Sequence, residues 1–214
     1  MLTVAQAVGV FVLAAAFAVQ AAEVAPDALV KTNVEEVLSV IKQNKDKRTL
    51  QDLAEKKVLP HFDFRTMTQL AVGKAWREAS QDQQKRLENA FRGLLVSTYT
   101  AALNQSAVAN ATVEVKPAQV KPEQEDVTVK TTAKRSGKQP VAIDYRMKRT
   151  ASGWKVYDVV VENLSLVTNY RDSFAAEIGR SGIDGLIRTI EAKNQKLAGA
   201  LCRRNSAADA HSLR

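Results

Sequence analysis

The hydrophobic period of this chain changes twice, and those changes restrict its architecture more than any single motif does. From residue 27 to 104 apolar side chains recur every three or four positions, from 112 to 167 they alternate, and from 169 to 200 the helical spacing returns. A helix and a strand cannot share a period, because the wrong one sends apolar side chains to the wrong face. Helices and strands segregated in this way predict an α+β domain, with an antiparallel sheet packed on helices from both ends of the chain.

The helical part divides at its turn residues. Val30, Val34, Val37, Leu38 and Ile41 mark a helix over 27–43, with Asp27 as its N-cap. A second helix follows Thr49, carries Leu50, Leu53, Ala54 and Val58 inward, and stops at Pro60. Phe62, Phe64, Met67, Leu70, Ala71 and Val72 form a short third one that ends near Gly73. Ser80 and Gln83 make a capping box for a long helix reaching Asn104, with Leu87, Phe91, Leu94 and Leu95 on one face.

Four strands are expected next: Thr112–Lys116, Val127–Ala133, Val141–Met147 and the stretch opening at Gly153, joined by turns such as Ser136-Gly137 and Ser152-Gly153. The last stretch, GWKVYDVVVENLSLVTNY from Gly153 to Tyr170, has apolar residues at both parities around Val159 to Val161. That pattern predicts a long central strand covered on both sides. A helix resumes at Asn169 and again after Gly182, while CRRNSAADAHSLR beyond Leu201 has little apolar pattern and reads as a disordered tail, 201–214.

The N-terminus sets the compartment. Val8 to Val19 has no polar side chain and is followed by Val19-Gln20-Ala21-Ala22, the form of a secretory signal over residues 1–22. Met1 to Ala7 lacks the usual Lys or Arg, and the competing reading, a membrane anchor, needs about 20 apolar residues. The folded domain is expected over 23–200. Cys202 is the only cysteine, so no disulfide can form within the chain and no cysteine follows the signal for acylation. A protein free in the periplasm is expected. The charge is +8, from 31 basic and 23 acidic residues, but the basic residues are dispersed, which argues against nucleic acid as a partner.

Catalytic motifs are few. His61 with Asp63 is half of a metal or acid–base site at most, and the nine glycines form no phosphate-cradling loop. Gly182-x-x-Gly185 shapes a helix start. No metal and no cofactor are expected. One enzyme reading stays open: a secreted enzyme acting on a small apolar molecule, with Tyr157 and Asp158 as an acid–base pair at a strand bulge. A third reading is an envelope scaffold with a solid core.

Three segments carry a family resemblance: VLPHFDFRTMTQLAVGKAWREAS (58–80) with the helix after it, WKVYDVVVENLSLVTNYRDSF (154–174), and GIDGLI (182–187). Their order and spacing resemble the periplasmic phospholipid-binding proteins of the Mla (maintenance of lipid asymmetry) system, the toluene-tolerance family. The resemblance implies an NTF2-like fold, a curved four-stranded antiparallel sheet against helices, enclosing an apolar cavity for acyl chains with the headgroup outside. It implies a monomeric carrier, without catalytic groups, shuttling phospholipid between an inner-membrane ABC lipid transporter and an outer-membrane lipoprotein–porin complex. Under it, the lining positions fall on the inward strand parity, Val127, Val129, Ile143, Tyr145, Met147, Val159 and Val161, and on Leu70, Leu94 and Tyr99 from the helices. Leu164, Leu166 and Val167 would form the rim, and Arg146, Lys148 and Arg171 would meet a headgroup phosphate or a docking partner.

Overall fold

The computed structural model describes residues 24–43, 52, 54–102 and 110–212. The signal reading for 1–22, the positions Leu50 and Leu53, and the helix end at Asn104 lie outside them. Helix α1 spans Pro26–Lys42 and begins on a proline, whose missing N–H costs nothing in a first turn. Asp27 is therefore inside the helix and is not its N-cap; its carboxylate instead accepts the Ala118 N–H at 3.2 Å. In place of the end of a second α-helix there is a π-helical turn, Ala54–Val58, and a 3-10 turn, Leu59–His61, with Pro60 inside the latter.

Phe62 then leaves helical geometry, bridges Val156 in parallel, and lets the Asp63 N–H reach the Val156 carbonyl at 2.8 Å. Asp63 caps α2 (Phe64–Val72), accepting the Thr66 N–H at 2.9 Å. Gly73, at φ 67°, ends that helix in a conformation that L side chains rarely adopt, and the 3-10 turn Gly73–Arg77 follows. Helix α3 (Gln81–Ala102) starts from the expected capping box: the Gln83 N–H donates to Ser80 Oγ at 3.2 Å, and the Ser80 N–H to Gln83 Oε1 at 3.0 Å.

The sheet is antiparallel, and its strands lie side by side in chain order: β1 (Thr112–Val115), β2 (Asp126–Lys134), β3 (Val141–Thr150), β4 (Gly153–Val161) and β5 (Leu164–Ser165). Five strands replace the four expected. The apolar stretch from Gly153 is not one long strand, because Glu162 and Asn163 take φ 48° and 66° and reverse the chain in a two-residue hairpin turn. The middle strand is β3, so β4 is one place in from the edge and not central.

After the 3-10 turn Thr168–Tyr170, helix α4 runs Arg171–Ser212 and breaks direction at Gly182, φ 72° and ψ −178°. Helix thus continues past Leu201, where the lack of apolar pattern predicts disorder. Leu186, Ile187 and Ile190 of α4 meet Leu87, Phe91 and Leu94 of α3 and Met67 and Ala71 of α2 in one buried cluster. Each of these side chains larger than alanine contributes about 1.5–3 kcal/mol by leaving water. Gly93 allows the two long helices to approach. A Cβ there would stand 2.9 Å from Asn194 Nδ2, which donates to the Ala90 carbonyl at 2.8 Å. A second cluster, Val30 of α1 with Val129, Met147, Trp154 and Val156, lies on one face of the sheet.

Candidate functional site

The β3–β4 pairing slips between Arg146 and Met147: Arg146 faces Asp158, while Met147 faces Val156, leaving Tyr157 as an extra residue. The slip reverses which parity of β4 faces which side. Trp154 and Val156 share a face with Arg149 and Met147, and beyond the bulge that face is continued by Val159 and Val161, opposite Tyr145 and Ile143. Asp158 and Val160 lie on the other face with Arg146 and Asp144. This is the physical reason that apolar residues occupy both parities here. One face packs on α1, and β4 also contacts α2.

That division separates the expected lining residues. Val127, Val129, Tyr145, Met147 and Val159 pack together in the sheet–α1 cluster, and Val129 and Met147 are fully buried there. Leu94 and Val167 are fully buried in the helical cluster, with Leu70 and Tyr99 packed on its flank. Val167 is therefore helical core and not a rim. Ile143, Val161 and Leu166 are half-buried, and Leu164, at the β4–β5 turn, is 55% exposed. Phe62 touches both clusters. A groove of about 310 Å³ beside α2, flanked by Phe62, Asp63, Arg65, Glu88 and Lys155, contains none of the expected lining residues.

Between the sheet and the helical layer runs a polar seam that periodicity gave no hint of. Asp158 is fully buried; its Oδ1 accepts the Ser165 hydroxyl at 2.9 Å and its Oδ2 lies 3.4 Å from Arg146 Nη1. Ser165 Oγ in turn accepts the Thr168 N–H at 2.9 Å. Next along β3, Lys148 Nζ lies 2.7 Å from Asp63 Oδ2 and also donates to the Thr66 hydroxyl. At the far end of α2 the Arg171 guanidinium donates through Nε and Nη2 to the Leu70 carbonyl, at 3.0 and 2.9 Å, closing one of the carbonyls a helix end leaves open. Tyr99 lies near Tyr170, which packs edge-on against Phe91 at 5.2 Å. Burial first, then Tyr170, pushes the Tyr99 phenol up to about 12, and burial alone does the same to Tyr145.

Tyr157 and Asp158 do not form the acid–base pair considered above. Burial and a hydrogen bond with Asp126 raise the Tyr157 phenol, while Asp158 is engaged by Ser165 and Arg146. His61 is held below its ordinary value by burial and by Lys155. Among the described residues no group of three or more His, Cys, Asp or Glu side chains is placed to hold a metal ion, and no helix is long and apolar enough to cross a membrane.

Residues 31–192 match the family model described as MlaC protein. The toluene tolerance protein ttg2D of Pseudomonas putida is 27% identical over 209 residues, spanning 94% of this chain and 93% of its own. The intermembrane phospholipid transport system binding protein MlaC of Haemophilus influenzae is 21% identical over 178 residues, 79% of this chain and 82% of its own. Among solved structures, the phospholipid-binding protein from Ralstonia solanacearum, in complex with a phospholipid, superposes with a TM-score of 0.72 at 35% identity. That match covers 82% of this chain and 99% of the other.

Proposed function

Because this chain belongs to the MlaC family, we propose that it is a periplasmic carrier holding phospholipid by its acyl chains and moving it between the two membranes of the envelope. The observation that carries this reading is the likeness to the Ralstonia protein, which extends over nearly all of a chain solved with a phospholipid. In this reading Leu70, Leu94 and Tyr99 would line the acyl chains from the helical side. The partners proposed are an inner-membrane ABC lipid transporter and an outer-membrane lipoprotein–porin complex, each visited by a monomer.

The physics of the cargo explains why such a carrier needs no reaction. Each CH₂ removed from water contributes about 0.8 kcal/mol, so one tail of ~14 methylenes costs on the order of 11 kcal/mol to expose. A lipid therefore crosses water slowly unless its tails are shielded, and a shield requires shape and apolar surface, not catalysis. Purification without detergent, solvent extraction and mass spectrometry test the reading. Near-stoichiometric phospholipid is expected. Preparations that are lipid-free and also refuse lipid from vesicles would overturn it.

A further inference from the structure

Three cationic side chains border the seam, and the structure separates them. Lys148 is committed to Asp63 and Thr66, and Arg171 to the Leu70 carbonyl. Arg146 is different: its side chain is 47% exposed, and it meets Asp158 through Nη1 alone, at 3.4 Å. A guanidinium has five N–H donors, so most of its fork faces outward. Thr128, exposed, sits directly opposite on β2, and the Tyr157 phenol is close enough for Arg146 to act on its proton affinity. Behind the guanidinium, Asp158 is fully buried and held by Ser165, which is itself held by the Thr168 N–H. This buried support fixes one edge of the guanidinium and leaves the other free.

We propose that Arg146, positioned by the Asp158–Ser165 pair, recognises a phosphate diester, the headgroup phosphate of the carried lipid. The proposal rests on the carrier reading. A planar fork matches two phosphate oxygens in a way that an ammonium cannot. Asp158 also cancels most of the monopole of Arg146, so the attraction comes from directed N–H donors more than from net charge. Such a contact selects a phosphate without trapping it, which suits a protein that must release its cargo. Asp158 is a positioning residue, since it reaches the ligand only through Arg146.

The test offers lipid-stripped protein an equimolar mixture of phosphatidylethanolamine, phosphatidylglycerol and diacylglycerol with identical chains, and reads the bound lipids by mass spectrometry. Wild type is expected to favour the two phosphatidyl lipids over diacylglycerol by about tenfold, the size of one hydrogen bond to a charged group. Arg146→Gln should bring that ratio near parity, Arg146→Lys should fall between, and Arg171→Gln should keep the wild-type ratio. Because Arg146→Gln strands a buried carboxylate, the double variant Arg146→Met/Asp158→Asn repeats the test without that charge. An unchanged ratio in the folded Arg146 variants, or an equal loss in Arg171→Gln, overturns the proposal. So does Arg146-dependent binding of inorganic phosphate, followed by phosphorus NMR, in a protein with no preference among the lipids. A protein that takes up none of the three lipids sinks the carrier reading instead.

Discussion

Asp63 makes three contacts through one carboxylate: it caps α2 through the Thr66 N–H, accepts the Thr66 hydroxyl at 2.8 Å, and pairs with Lys148 of β3. Burial pushes its pKa up, but the Lys148 and Thr66 bonds outweigh burial and hold it below the ordinary carboxylate value. A carboxyl lowered in the folded state contributes stability that is fully present above its unfolded value, about 3.9, and is lost as pH falls through the folded value. Asp63→Asn keeps a capping oxygen but loses the charged contact to Lys148, so it is expected to cost up to about 1 kcal/mol at neutral pH, and to flatten the loss of stability on acidification from pH 5 to 3. Urea melts across that range check it, and identical acid slopes in variant and wild type would count against the assignment. Asp63's place at the head of a short apolar helix was legible, though it read there as half of a site with His61 and not as a cap. Its ion pair was not legible, since Lys148 lies far along the chain and no local period links the two.

The GIDGLI segment shows how a short motif can be purely architectural. Gly182 holds φ 72° with ψ −178°, a region essentially reserved for glycine. Gly185 leaves room for Ser181, whose Oγ would stand 2.0 Å from a Cβ placed there. Glu177 spans the break, accepting the Ser181 hydroxyl at 2.5 Å and the Thr189 hydroxyl at 3.2 Å. Gly182→Ala should cost about 1–3 kcal/mol through backbone strain. Gly179→Ala, in regular helix with open space around it, should be neutral or stabilising by up to about 1 kcal/mol. Thermal melts of the two variants decide this, and equal melting temperatures would mean that the break carries no strain penalty. The helix break was visible as a glycine pair. The β4 bulge showed only as apolar residues at both parities, which a doubly covered straight strand would also produce, and the Glu162–Asn163 turn was hidden because neither residue is a glycine or proline.

The sheet separates two apolar layers, one against α1 and one within α2, α3 and α4, and Phe62 is packed on both. The change of period identified the α+β class and the inward residues, but it could not say which layer each residue joins, because that depends on the slip at Tyr157. If the acyl chains occupy the helical layer, cargo is part of that layer's packing, and its removal must lower stability. A ligand at a hundredfold excess over its dissociation constant stabilises by about 2.7 kcal/mol, and a domain of this size shifts its midpoint by roughly 2–4 °C per kcal/mol. Lipid-stripped protein should thus melt about 5–11 °C below the loaded form. Leu94→Trp, which adds volume at a fully buried position of the helical layer, should shrink that increment by excluding the chains. Val129→Ala, on the α1 side, should lower both melting temperatures together and leave the increment intact. Calorimetry on loaded and stripped forms of each variant measures both effects. The reverse pattern, an increment lost in Val129→Ala and kept in Leu94→Trp, would place the chains on the α1 face and remove Arg146 from reach of their headgroup.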